Sequence, residues 1–251
     1  MNTCHLNFLE YKRLRFNGCI VIYIPILELY EERMARMASL MDNFTWFRQS
    51  AFLWKDADYR IYIDPWQVTT DDPADIIVIT HAHFDHFSMD DIDKIRKEST
   101  QIFAPADVAK EISGNVTPVS PGESHHAGKL SIQTVPAYNI VEERLEAHPQ
   151  ENNWVGYILS LGKENYYHAG DTDHIKELDS VKADVAMLPI GGTYTMNASE
   201  AADLARAINP QIAVPMHYGY VVGSPPDARR FAEEAAPVKV QALTPVHPFE
   251  H

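Results

Sequence analysis

Ile76-Ile77-Val78-Ile79-Thr80-His81-Ala82-His83-Phe84-Asp85-His86 runs from a β-branched, wholly apolar stretch straight into four side chains able to bind a metal ion. The apolar residues are those of a buried strand. His81 and His83, two positions apart, project to the same side of an extended backbone and can grip one ion. Asp85 and His86 follow where the chain turns and can reach a second ion close by. Imidazole and carboxylate together suit Zn2+, Mn2+ or Fe2+ at catalytic sites. The chain holds twelve histidines in 251 residues. A chance histidine-rich loop is a poor account of three of them and an aspartate placed directly after a buried strand.

Two later segments repeat the design. Asn165-Tyr166-Tyr167-His168-Ala169-Gly170-Asp171-Thr172-Asp173 is a strand ending in a glycine turn that presents Asp171. Its carboxylate could bridge two cations, one oxygen to each, or serve only to cap backbone N–H groups. Ile212-Ala213-Val214-Pro215-Met216-His217 is again an apolar strand ending in histidine. A lone histidine there would read as structural, but three strand ends carrying His or Asp are better explained as one site. His168, just before Asp171, suits orienting a ligand by hydrogen bond. His125 and His126, in a stretch flanked by glycine, read as a solvated loop.

Around these motifs the chain reads as short strands separated by turns and helices. The strands are Thr45–Trp54, Arg60–Asp64, Ile76–Thr80, Gln101–Ala104, Leu130–Val135, Val155–Ser160, Asn165–His168, Val185–Pro189, Ile212–Pro215 and Val238–Ala242. Helices are expected at Met89–Glu98, Ala106–Ile112, Ala198–Ile208 and Pro226–Ala235. The third has Asn197 as N-cap, Glu200 at capping-box spacing and Asn209-Pro210 as its stop. Strands dominate early and then alternate with helices, which favours one domain of two sheets with helices outside. Residues 1–41 differ in character: Ile26, Tyr30, Met34, Met37 and Met41 recur at helical spacing. They read either as a helix packing on the domain or on a partner subunit, or as a stretch ahead of a start at Met34, Met37 or Met41.

The bulk properties bound the function classes. Hydrophobic residues make up 45% and charged residues 22% of the chain, as in an ordinary globular protein. No stretch approaches the ~18–20 uninterrupted apolar residues of a membrane span. Cys19 to Leu29 is short, is broken by Pro25 and Glu28, and does not read as a signal peptide. Two cysteines, Cys4 and Cys19, imply no disulfide framework, so a cytoplasmic location is the expectation. A net charge of −14 argues against a surface made for nucleic acid, while leaving open an anionic substrate drawn to bound cations.

The His-x-His-x-Asp-His run, the later Gly-Asp-Thr and the final strand-end histidine resemble the metallo-β-lactamase superfamily. The likeness is to its branch of metal-dependent hydrolases related to ascorbate-6-phosphate lactonase and N-acyl-phosphatidylethanolamine phospholipase D. Supporting segments are Tyr62-Ile63-Asp64-Pro65-Trp66, Val135-Pro136-Ala137-Tyr138-Asn139 and Leu188-Pro189-Ile190-Gly191-Gly192-Thr193-Tyr194-Thr195-Met196, so the resemblance covers about Asp42 to the end. It implies an α/β (α+β) fold, a four-layer αββα sandwich in a single domain over 42–251, with the metals at one edge of the two sheets. His81 and His83 would hold the first ion. Asp85, His86 and His217 would hold the second, with Asp171 between them. The superfamily supplies a further histidine to the first ion from the loop after the strand Leu130–Val135, where this chain has Tyr138-Asn139. His148 from the longer loop, Asn139 or water would fill that place. His148 is the better candidate because imidazole is the better ligand for a borderline metal.

Such a site would hold two divalent ions, Zn2+ first, with Mn2+ or Fe2+ as alternatives. It would direct a hydroxide held between them at a carbonyl carbon or a phosphorus. Asp85 or Asp171 would move the proton to the leaving group, and Asn139, Tyr194 and Tyr218 are candidates for orienting substrate. The expected activity is hydrolysis of a small-molecule ester, lactone, amide or phosphodiester, with homo-oligomerisation left open. A nuclease of the same fold is disfavoured by the acidic balance. A di-iron redox protein would carry a carboxylate where this chain has His83. A metal-binding protein without turnover remains the other alternative.

Overall fold

A computed structural model describes residues 39–250 together with two short strands, β1 (Arg15–Phe16) and β2 (Cys19–Ile20), which pair antiparallel. The expected helix around Ile26 to Met37 lies outside the described residues, as does Cys4. The chain divides into a unit ending at Asp42 and a unit from Asn43 onward, and the second holds every candidate ligand.

In that second unit the first sheet has the order β3 (Phe44–Arg48), β4 (Ala51–Lys55), β5 (Arg60–Ile63), β6 (Ile76–Val78), β7 (Gln101–Pro105), β8 (Val116–Val119). Hairpins join β3, β4 and β5, and β5 to β8 run parallel. The second sheet is built from β9 (Ser124–Ala127), β10 (Leu130–Pro136), β11 (Val155–Leu161), β12 (Glu164–His168), β13 (Val185–Pro189) and β14 (Ile212–Met216), hydrogen-bonded in sequence order. Its last three strands are parallel.

Period-two alternation buries both faces of the first sheet, which parallel strands require. Leu53, Tyr62, Ile77 and Ile102 point outward into one apolar cluster with Ile92 and Ile95 of α1 (Met89–Ile95) and Val108 of α2 (Ala106–Ala109). Phe52, on the opposite face, meets His168 of the second sheet at 5.8 Å between ring centroids. From β11, the buried Tyr157 hydroxyl donates to the carbonyls of Ile79 and Phe103, tying the sheets together beside the ligand motif. On the far side, α3 (Ala198–Ile208) packs on β13 and α4 (Pro225–Glu234) on α3. The result is the four-layer αββα sandwich. As expected, Asn197 caps α3 in a capping box with Glu200, and Asn209 ends it in a left-handed conformation.

Four local expectations are corrected. Thr45–Trp54 is two strands, because Gln49 adopts a left-handed φ of 47° and folds the chain back. Val238–Ala242 makes only an isolated bridge between Val240 and Ala213. Val116–Val119 and Ser124–Ala127 are strands that lack an apolar run, so His125 and His126 lie in β9 and not in a loop. The helices Met89–Glu98 and Ala106–Ile112 end sooner, at Ile95 and Ala109.

Gly156 of β11 marks a close approach at the site end of the second sheet. A Cβ there would lie 2.8 Å from the Ala169 carbonyl oxygen and 2.9 Å from that of His168. Gly156→Ala is expected to destabilise the protein by roughly 1–3 kcal/mol, since backbone cannot step aside cheaply. A urea midpoint equal to wild type would show that this packing is looser than it looks.

Candidate metal centre

Parallel strands in both sheets end at the same edge, and each delivers functional residues there, as open α/β sheets do at the carboxyl ends of their strands. β6 leads into His81, His83, Asp85 and His86; β12 leads into Asp171; β14 leads into His217. His148 arrives from the long connection between β10 and β11, two 3-10 turns shaping it. Gly170, with φ 63°, turns β12 sharply enough to aim Asp171 inward, and a Cβ there would sit 3.0 Å from the Thr80 Cβ.

The side chains form two groups whose ligand atoms each lie within 4.8 Å of one another: His81, His83, His148 and Asp171, and Asp85, His86 and His217. Asp171 joins them. Its Oδ2 is 2.9 Å from His217 Nε2 and 3.3 Å from His148 Nε2, and its Oδ1 is 3.3 Å from His86 Nε2. His86 Nε2, His148 Nε2 and Asp171 Oδ1 are buried and make no hydrogen bond. Buried polar atoms are rarely left so. Five imidazoles and two carboxylates converging, three of them with a ligand atom that makes no hydrogen bond, are a donor set that fits divalent transition-metal ions. All seven candidate ligands drawn from the sequence, His148 among them, are therefore brought together.

Surrounding residues, most of them given no role from the sequence, hold these candidate ligands in place. Asp64, fully buried after β5, accepts from His86 Nδ1, the Thr80 hydroxyl and the Thr80 N–H, each at 2.7 Å. That fixes the His86 ring with its Nε2 directed at Asp171. The Thr80 hydroxyl also lies 2.9 Å from His81 Nδ1. Gln49, at 0% exposure, places its amide nitrogen 3.0 Å from Asp85 Oδ2 and 2.9 Å from His217 Nε2. The Trp154 ring packs against His81, His83 and His148 at 5.0 to 5.8 Å. His168 lies 3.0 Å from the Ser50 carbonyl and accepts from Gly170 N–H, supporting the Asp171 turn. Asp64 (φ 46°), Gln49 (47°) and His217 (58°) are all left-handed, a conformation that costs non-glycine residues of order 1–3 kcal/mol and clusters at functional sites. The Asp-Pro step after a strand was the available signal for Asp64; Gln49 offered none.

The three residues expected to orient substrate sit in different settings. Asn139 is buried, and its amide donates to the carbonyls of Arg144 and Tyr194 and lies 3.1 Å from His148 Nδ1, so it props His148 from behind. Tyr218 is buried against Trp46 and Phe249, ring centroids 5.4 and 5.3 Å away, and anchors the C-terminal segment. Tyr194 is exposed, at 46%.

Charges at the centre are strongly coupled. Burial alone would raise Asp85, but the His86 and His217 imidazoles hold it down at about 2. Burial alone would lower His217, but the Asp171 and Asp85 carboxylates lift it to about 9. Asp171 lies well below the ordinary carboxylate range and His86 well above the ordinary imidazole range, for the same mutual reasons against burial. His81 and His83 go the other way, because burial and neighbouring imidazoles disfavour their cations. They are ready as neutral ligands.

In the metal-free protein the raised pKa of His217 means its contribution to stability is complete below pH 6.5 and is lost as pH rises through about 9. Chelator-treated protein should therefore lose urea stability between pH 6.5 and 9, and Zn2+ added at pH 7.5 should release protons, seen as buffer-dependent heats of binding. Uptake without proton release would sink this account of the charges. Asp64→Asn should weaken metal affinity by ~10–100-fold, the usual effect of removing an outer partner, as measured by chelator competition; unchanged affinity would refute the orienting role.

Residues 43–217 match the family model of the beta-lactamase superfamily domain. A UPF0173 metal-dependent hydrolase of Aeropyrum pernix is 30% identical over 238 residues, spanning 84% of this chain and 98% of its own. A UPF0173 protein of Pyrococcus furiosus is 32% identical over 219 residues, spanning 83% and 99%. Among solved structures, Igni18, a metallo hydrolase from Ignicoccus hospitalis, is 26% identical with a TM-score of 0.66, over 80% of this chain and 94% of that one. A Parabacteroides distasonis chain assigned to the metal-dependent hydrolases is 30% identical with a TM-score of 0.72, over 79% and 91%. With that fold, that strand-end site and those relatives, the chain belongs to the metallo-β-lactamase superfamily and, within it, to the UPF0173 metal-dependent hydrolases.

Proposed function

We propose that His81, His83 and His148 hold one divalent ion and Asp85, His86 and His217 a second, with Asp171 shared between them. The pair would serve hydrolysis of a small-molecule ester, lactone, amide or phosphodiester. One observation carries the reading: buried ligand atoms without hydrogen bonds converge from both groups on Asp171. Zn2+ is the first choice for this imidazole-rich set, ahead of Mn2+ and Fe2+. Divalent ions bound there would supply Lewis-acid polarisation of the substrate oxygen and make water a nucleophile near neutral pH.

The chain's own groups account for the rest. Asp85 or Asp171 is the carboxylate that would carry a proton from the attacking water to the leaving group. Asn139 and Asp64 keep His148 and His86 in single orientations, so little reorganisation is needed as charge develops. Phe84, Ile140, Leu145, Tyr194 and Val221 are exposed apolar side chains, and each lies on a segment bearing a ligand or a ligand's support. A cavity of about 660 Å3 is lined by Tyr138, Ile140, Leu145 and Pro149, with Asn139, Gln150, Glu146 and Glu151 as its polar members. These features favour a substrate with an apolar portion over a polyanion. Among the described residues no helix is long and apolar enough to cross a membrane.

Metal content by plasma mass spectrometry on untagged protein should approach two ions per chain. Turnover of nitrophenyl esters, lactones or bis-nitrophenyl phosphate should be lost on chelation. His83→Ala and Asp171→Ala should each cut turnover by at least ~100-fold, beyond the effect of losing an outer partner, with the far-ultraviolet spectrum retained. His148→Ala should empty one site only. Protein that neither retains nor takes up metal, or that turns over equally well after chelation, would end this reading.

A further inference from the structure

We infer that the side-chain carbonyl oxygen of Gln49 is a further ligand of the cation held by Asp85, His86 and His217, a step that rests on the two-ion reading above. Gln49 sits at the turn between β3 and β4, fully buried and left-handed at φ 47°. Its backbone carbonyl accepts from His217 N–H at 2.9 Å and from Trp46 Nε1 at 3.0 Å, so the side chain has a fixed root beside the site. A polar residue forced into a costly backbone conformation at 0% exposure calls for a reason.

The amide supplies one. Its nitrogen lies 3.0 Å from Asp85 Oδ2 and 2.9 Å from His217 Nε2, while Oε1 is buried without a hydrogen bond. The nitrogen-to-nitrogen contact cannot persist once a cation takes the His217 Nε2 lone pair, since nothing is left there to accept an N–H. Amide oxygen and nitrogen have nearly the same shape, and a half-turn about the last side-chain bond exchanges them. Turned over, the oxygen joins the Asp85 oxygen and the His217 nitrogen with lone pairs converging. Once a cation displaces the His217 proton, that arrangement is a ligand set. Spacings of 2.9 and 3.0 Å also match the ~3 Å between ligands that lie ~2.1 Å from one ion at right angles, as in a five- or six-coordinate site. The rival is a positioning role, in which the amide N–H donates to Asp85 and never touches the ion.

A carboxylate in place of the amide separates the two. Wild type, Gln49→Leu and Gln49→Glu would be stripped of metal, checked for folding by urea denaturation, and titrated with Zn2+ and Co2+ against a chelator. Ligation predicts that Gln49→Leu weakens one of two sites at least tenfold and alters the visible spectrum of the Co2+ protein. It also predicts that Gln49→Glu keeps both ions at equal or tighter affinity. If Gln49→Glu weakens binding as much as Gln49→Leu does, the N–H was the working group and ligation is overturned. Unchanged affinity and Co2+ spectrum in Gln49→Leu also overturn it. Should Gln49→Leu not fold, Gln49→Met serves in its place with the same outcomes. A wild type that binds neither ion brings down the two-ion reading itself, a result distinct from any difference among the variants.

Discussion

The carboxylate of Asp171 is buried among four imidazoles, and that attraction organises the strand ends that meet there. An isolated buried carboxylate carries a desolvation cost of several kcal/mol, and removing its partners leaves it uncompensated. Here His217 and His86 stand within 3.3 Å of its two oxygens, and His148 and His81 within 3.9 Å. Imidazoles drawn from β6, from the β10–β11 connection and from the end of β14 are thereby held at one point. That attraction lifts His217 and His86 against burial, whereas burial and the neighbouring imidazoles prevail at His81 and His83 and lower them.

Holding those groups together demands an unusual backbone. His217 and Gln49, both left-handed, are joined by a main-chain hydrogen bond, and Asp64 repeats the conformation at the end of β5. These three strained positions are supported from both sheets. Tyr157 donates across to Ile79 and Phe103, Val155 N–H donates to the Thr80 carbonyl, and Asp64 fastens Thr80 and His86. The sandwich acts as a vice that keeps costly local geometry in place.

What could be read in the sequence follows from the range of the interactions involved. His81, His83, Asp85 and His86 are legible because strand and turn are both local and the four side chains crowd into six positions. His217 and Asp171 are legible as strand ends with a polar terminus. Gln49 is not, because its meaning lies in a contact 168 positions away, and the apolar, β-prone residues around it read as one continuous strand. Asp64 could be quoted but given no role, since its partners come from β6, across a parallel pairing that spacing does not reveal. Asn139 and Tyr218 gain partners that spacing does not reveal: one lies against His148 and the other packs against Phe249 of the C-terminal segment. The strands β8 and β9 escaped notice because Val-Thr-Pro-Val and Ser-His-His-Ala lack the apolar density that marks a core strand.

Trp154 gives the site a further property. Its indole lies face or edge against three imidazoles of one ligand group, and its Nε1 is held by Asp107 at 2.8 Å, leaving the ring in a single shielded setting. An indole at that range would report on an ion held by those imidazoles. Its emission should dim when a paramagnetic ion such as Co2+ binds there and respond differently to closed-shell Zn2+. The chain thus carries its own fluorophore for testing, in real time, whether an ion enters the proposed centre.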